Sequence, residues 1–217
     1  MANILHSANA ASPLPTNEYA IADAVRLLSQ NGDYVVHRDG WMFQVMSWLA
    51  AHIQRPNALI ALPQPGHAEK GLDGLEILLD SAGSVVATII FEDKATENPR
   101  KTIREKVWPE FAEFENGKDI SRMTQQAASI LAISRHPSPS EAAARIVWNT
   151  SRRYRVSITA DTSTTTSRSS LFKDYETTVP GAVDRRRAEV FEVVNMRDWM
   201  AKLATKSIAK AHAMSQK

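Results

Sequence analysis

The sequence predicts an α/β or α+β fold in which helices flank a mixed β-sheet. Three observations predict it. Leu75–Leu79 and Val85–Phe91 are aliphatic and partly β-branched, and Asp80-Ser81-Ala82-Gly83-Ser84 joins them as a hairpin loop. Helix-period patterns lie on both sides of this hairpin. Two further strand candidates, Arg155–Ala160 and Ala188–Val194, follow in the C-terminal third, so the order is helices, hairpin, helices, strands.

Residues 1–16 are rich in Ala, Ser, Asn and Pro and are expected to form a flexible arm, leaving 17–217 as one domain. Asn17 is the expected N-cap of a helix to about Gln30, with Ile21, Ala24, Val25 and Leu28 on one face and Gly32 as its stop. Tyr34-Val35-Val36-His37 reads as a short extended piece. Asp39 is expected to cap a second helix, where Met42, Val45, Met46, Leu49 and Ile53 recur at helical spacing until Pro56. Ala58–Leu62 is apolar but too short for a helix, and Pro63-Gln64-Pro65-Gly66 closes it.

After the hairpin, residues 101–115 form a charged helix with Ile103, Val107, Phe111 and Phe114 inward and a kink at Pro109. A helix is expected from Ile120 to Ser134, then a linker at Pro137 and Pro139 and a helical stretch from Glu141 to Ile146. The Ser/Thr tract from Thr162 to Ser170 reads as an exposed loop, and Asn195 or Asp198 caps a last helix to about Ala211.

Composition narrows the function classes. At 217 residues, with 43% hydrophobic and 23% charged residues, the chain suits one globular domain with a sizeable core. The net charge is only +2, so any affinity for nucleic acid has to come from local basic patches. With no cysteine, disulfides, thiolate zinc sites and cysteine nucleophiles are excluded, and a reducing compartment is suited. No apolar run reaches membrane-spanning length, and Met1-Ala2-Asn3-Ile4-Leu5-His6 lacks the basic start of a secretory signal. A cytoplasmic protein without membrane contact is therefore expected. His37, His52, His67 and His136 show no zinc-ligand spacing, and neither a Gly-rich phosphate loop nor a G-x-S-x-G elbow is present.

Charge around the hairpin carries the chemistry. Asp73 stands before the first strand, and Glu92-Asp93-Lys94 ends the second. Strand side chains alternate faces, so Glu92 and Lys94 point one way and Asp93 the other. Asp73 and Glu92 can then share a hard divalent cation, with Lys94 near enough to hold a water or a phosphate oxygen. Glu76 falls on the opposite face and is assigned a structural or solvent role. The competing reading of Glu92-Asp93-Lys94 is a solvated turn.

This Asp73 … Glu92-x-Lys94 set resembles the PD-(D/E)xK nuclease superfamily, over roughly residues 17–160, with the specific motif confined to 71–94. The resemblance implies a restriction-endonuclease-like mixed sheet. It also implies a Mg²⁺ (or Mn²⁺) ion held by Asp73 and Glu92, and Lys94 as the residue that orients water. A glutamine on the helix after the motif often completes such sites; Gln126 lies nearer the inward face than Gln125 and is the expected one. Glu18 is the candidate for an additional acid from the first helix. Two departures stand out: Asp93 replaces the usual apolar middle residue, so either the strand end is exposed or Asp93 is itself a ligand, and Leu72 replaces proline before Asp73.

Basic residues cluster at Lys101 and Arg104, at Arg152, Arg153 and Arg155, and at Arg185-Arg186-Arg187, with Lys202, Lys206 and Lys210 as a stripe on the last helix. Lys101, Arg104, Arg152, Arg153 and Arg155 are the expected phosphate contacts to DNA, and Tyr154 a base-stacking residue; a solvated basic face is the alternative. The layout is also similar to small nuclease subunits of bacterial anti-phage systems, which implies a helicase or ATPase partner. The rival function is a non-catalytic interaction protein on the same fold. Convergence of Asp73, Glu92 and Lys94 separates the two.

Overall fold

The computed structural model describes residues 15–56, 58–63, 73–145, 151–161 and 167–215. A five-stranded sheet lies at its centre in the order β1 (Leu59–Ile60), β2 (Gly74–Leu79), β3 (Val85–Lys94), β4 (Arg152–Ala160), β5 (Arg186–Glu192). The first three strands run antiparallel, while β3, β4 and β5 run parallel to one another. The sheet is thus mixed, as expected, and the hairpin is its spine. Asp80 explains the turn: its Oδ1 accepts from the N–H groups of Ala82 at 2.9 Å and Ser84 at 2.8 Å, and Gly83 supplies a φ of +82°.

Helices cover both faces. On one face α3 (Pro99–Thr102), a π turn (Ile103–Val107) and α4 (Trp108–Glu115) run as one helical segment, followed by α5 (Ile120–Ile133) and α6 (Pro139–Ala144). The expected stripe Ile103, Val107, Phe111 and Phe114 is buried there against Leu75, Ile77, Ile90, Val156 and Ile158. The irregularity lies just before Pro109 and includes Glu105, the residue whose carbonyl the proline ring would meet in a regular helix. Two short helices, α7 (Arg168–Leu171) and α8 (Tyr175–Thr178), precede β5.

On the other face α2 (Val35–Gln54) packs on β3, and α9 (Met196–Ser215) packs on α1 (Pro15–Leu28) and α2. Leu28, Met42, Phe43, Met196, Met200 and Ala204 fill that second cluster. None of the described helices is long and apolar enough to cross a membrane.

Several expectations change. Tyr34–His37 is helical rather than extended: Tyr34 closes a 3₁₀ turn and Val35 opens α2. Asp39 is no N-cap but a fully buried member of α2, held by Arg38 at 2.8 Å and Arg197 of α9 at 2.6 Å. Below its first turn the buried face of α2 is Met42, Phe43, Val45, Ser47, Trp48 and Ala51, with Ser47 bonded to Asp93 of the sheet, and the expected Leu49 and Ile53 are exposed. The expected arm and first cap shift as well, since Pro15 and Thr16 already belong to α1, while residues 1–14 lie outside the described residues. Ile146 and residues 162–166 of the Ser/Thr tract also lie outside them, whereas Arg168–Leu171 is helical.

Candidate active site

Strand register brings the acids together. Gly74 pairs with Phe91 across the antiparallel ladder, so Asp73 stands opposite Glu92 at the ends of two neighbouring strands. Gly74 permits the approach: a Cβ there would lie 2.8 Å from Phe91 Cδ2. The N–H of Asp93 then donates to Asp73 Oδ2 at 2.9 Å, fixing the carboxylate to the β3 backbone.

Lys94 joins the two. Its Nζ lies 2.7 Å from Asp73 Oδ2 and 2.5 Å from Glu92 Oε2, so one ammonium bridges both carboxylates. Asp73, Glu92 and Lys94 therefore converge, and Glu92-Asp93-Lys94 is not a solvated turn: Glu92 is fully buried and Asp93 nearly so. Burial, then the charge of Asp73, holds the Glu92 carboxyl well above the ordinary carboxylate range, with Lys94 offsetting part of the rise. For Lys94 burial pulls the other way, but Glu92 and Asp73 outweigh it and keep the ammonium charged far into the alkaline range.

The donor set suits a small hard cation. Glu92 Oε1 finds no hydrogen-bond donor among the described residues, although the side chain is fully buried. A buried acceptor left open is costly unless something fills it. Magnesium takes one or two carboxylates and completes its shell with water and phosphate oxygens. Asp73 and Glu92 supply two; among the described residues no group of three or more His, Asp or Glu comes together at metal-binding range.

Asp93 is buried within β3. It is neither exposed nor turned toward the other acids. It lies on the opposite face of β3, where Ser47 Oγ donates to its Oδ1 at 2.7 Å and Arg155 Nη2 stands 3.5 Å away. Burial raises its pKa to about 6 despite Arg155. Glu76 is buried on that same face and pairs with Arg55 at 2.8 Å, a structural role.

The structure separates the expected basic contacts. Lys101, on α3, and Arg104, in the π turn, are exposed beyond the end of β3, with Arg104 paired to Glu105 at 2.6 Å. Arg152 and Arg155 are corrections, for both are buried. Arg152 donates to the carbonyls of Phe114 at 2.5 Å and Glu115 at 3.5 Å, capping the end of α4. Arg155 lies with its guanidinium carbon 3.6 Å from the centre of the Phe91 ring, between Ser47, Asp93 and Glu189. Arg153 remains partly exposed in a pair with Asp184 at 2.9 Å. Tyr154 is buried with its hydroxyl donating to Glu115 at 2.7 Å, so it offers no stacking face. Arg185, Arg186 and Arg187 are tied to Glu115, to the Val179 carbonyl and to Glu189 respectively.

Gln126 is half-buried on α5 beside the packed face Met123, Ala127 and Leu131, and no hydrogen bond joins it to Asp73, Glu92 or Lys94. The helical segment directly after β3 is Pro99–Glu115, which has no glutamine, and Gln126 lies on the helix that follows it. Glu18 lies on α1 with its side chain outside the described residues.

Two residues were missed. Gln44 of α2 donates from Nε2 to Asp73 Oδ1 at 2.7 Å. Glu110 of α4 adds to the rise in the Glu92 pKa, and its Oε2 is buried without a hydrogen-bond partner among the described residues. Position was the available signal: Glu110 is three residues after Val107 and four before Phe114, on the inward side of its helix.

Fold and site together define an α/β protein with a partly buried acid–acid–lysine cluster at one end of a mixed five-stranded sheet. Comparison with models of known protein families, with curated proteins and with solved structures returns no match.

Proposed function

We propose that this chain is a metal-dependent nuclease of the PD-(D/E)xK kind that hydrolyses DNA phosphodiester bonds in the cytoplasm. One observation carries it: Asp73 and Glu92, from two adjacent strands, meet around Lys94 while Glu92 Oε1, fully buried, lacks a donor. A fully buried carboxylate with an open acceptor, beside a half-buried one, suits a cation better than it suits packing.

In this proposal Asp73 and Glu92 hold Mg²⁺ or Mn²⁺. Such an ion, when bound, activates water and neutralises charge that builds on a phosphate. Lys94, whose ammonium bridges both carboxylates, acts as a hydrogen-bond donor and counter-charge for an oxygen of the substrate or of water. Asp93 anchors the strand end from behind through Ser47 and Arg155. Lys101 and Arg104, exposed and following the motif in sequence, would contact the DNA backbone. A helicase or ATPase partner, as in anti-phage systems, would deliver the substrate strand.

The test is cleavage of plasmid and of single-stranded DNA with Mg²⁺ or Mn²⁺ against EDTA, alone and with a co-purified ATPase. Metal-dependent cleavage that disappears in Glu92→Gln is expected. A folded protein that binds no metal and cuts neither substrate under any of these conditions would leave the non-catalytic interaction protein as the better reading.

A further inference from the structure

We propose that Gln44 is a positioning residue of this site, orienting Asp73 so that one lone pair of Oδ1 stays open to a divalent cation. The proposal rests on the assignment of Asp73 and Glu92 as the cation ligands.

A carboxylate has about four acceptor positions, two on each oxygen. On Asp73, Oδ2 takes the Asp93 N–H at 2.9 Å and Lys94 Nζ at 2.7 Å, which fills it. Among the described residues Oδ1 takes only Gln44 Nε2, at 2.7 Å. The carboxylate is gripped from both ends and cannot rotate, so its remaining lone pair has one direction.

The helix supplying Gln44 is itself registered to β3. Ser47 follows Gln44 by three residues and donates to Asp93 Oδ1 at 2.7 Å. Residues three apart share a helix face, so α2 fastens one acid on each side of the strand end within a single turn. Sliding α2 would break both contacts together.

The residue type matters. Lysine or arginine at this place would orient Asp73 equally well but would repel a divalent cation, whereas an amide supplies a donor without charge. Second partners of metal ligands commonly govern affinity by fixing ligand orientation, and losing one costs about 10- to 100-fold.

Gln44→Met and Gln44→Leu remove the donor at similar bulk. Calorimetric titration with Mn²⁺ alone is expected to show affinity about 10- to 100-fold weaker in both. The Mn²⁺ concentration for half-maximal DNA cleavage should rise by the same factor, with the rate recovering toward wild type at saturating Mn²⁺. Circular dichroism should stay unchanged and the melting temperature in EDTA should fall only by what one lost hydrogen bond costs, since a merely structural residue would lower stability without moving Mn²⁺ affinity. Unchanged Mn²⁺ affinity in folded variants overturns the role of Gln44 and leaves the nuclease proposal standing. Loss of the fold in both variants overturns it too, by making Gln44 structural. Wild-type protein that binds no Mn²⁺ overturns both proposals.

Discussion

Asp73 and Asp93 present their carboxylates on opposite sides of the strand end, yet the N–H of Asp93 donates to Asp73 Oδ2 at 2.9 Å. Through that bond the buried polar layer under α2 and the acid cluster on the far side of β3 are mechanically one unit. Ser47 and Arg155 hold Asp93, Asp93 holds Asp73 through its backbone, and Asp73 with Glu92 holds Lys94. Changes on either face therefore have readouts at the site.

Lys94 occupies the position between the two carboxylates, where its ammonium competes with any added cation. Unit charges about 4 Å apart interact by about 1 to 4 kcal/mol between fully aqueous and near-surface conditions. Lys94→Met should therefore bind Ca²⁺ about tenfold or more tightly than wild type, while DNA cleavage in Mg²⁺ falls about 100-fold or more. Calorimetry and initial rates on one preparation check both signs. Unchanged Ca²⁺ affinity would mean that the ammonium does not share the cation's place.

The hairpin and the convergence of Asp73, Glu92 and Lys94 were legible because both follow from alternation and register. Two strands joined by Asp80 to Ser84 place the residue before one opposite the end of the other. The fate of the arginines was not legible. Alternation assigns Arg152 and Arg155 to opposite faces of β4, but nothing local says that each face is covered. Only packing reveals that α4 ends with open carbonyls above Arg152, or that Phe91 offers its ring to Arg155. Gln44 escaped for a related reason: apolar periodicity finds the residues that fill a core and passes over a polar one that the core needs.

Gly74→Ala tests the close approach that sets the register. Its new Cβ would meet the Phe91 ring 2.8 Å away, and the ring cannot retreat because Arg155 lies over it. Overpacking of this kind costs about 1 to 3 kcal/mol, and the melting temperature should fall accordingly. Phe91→Leu in the same chain should recover part of the loss, so the double variant costs less than the two singles together. Strict additivity would show that the strain falls elsewhere.

Asp93 makes stability depend on pH in a defined direction. Its pKa rises from 3.8 to about 6 on folding, so between those values the folded chain binds more protons than the unfolded one. The Asp93 contribution is thus fully present below about pH 4 and is lost as pH rises toward 6, at about 1.4 kcal/mol for each pH unit crossed. The difference in unfolding free energy between wild type and Asp93→Asn, followed by urea titration from pH 4 to 7, should move against wild type by about 3 kcal/mol across that window. A flat difference would mean that Arg155 already keeps Asp93 ionised at pH 4.

The burial of Arg152 and Arg155 redirects the search for DNA contacts. Replacing either with alanine removes a guanidinium from the interior and strands its partners, the α4 carbonyls in one case and Asp93 in the other. Breaking the buried Arg155–Asp93 pair costs about 3 to 5 kcal/mol and unpairing the carbonyls over Arg152 about 1 to 3 kcal/mol, so such variants should lose stability before any loss of DNA affinity can be read. Lys101 and Arg104 are different. Both are exposed, and Glu105, which pairs with Arg104, is itself at the surface. Lys101→Ala with Arg104→Ala should leave the melting temperature nearly unchanged and weaken duplex DNA binding with little dependence on sequence. Each phosphate left without its cation should lower the slope of log affinity against log salt by about 0.9, so the double variant should lower it by about 1.8. Fluorescence anisotropy at several salt concentrations, in Ca²⁺ to separate binding from cutting, measures that slope. If it stays at the wild-type value in a folded protein, this end of the helical segment is not the DNA-facing surface.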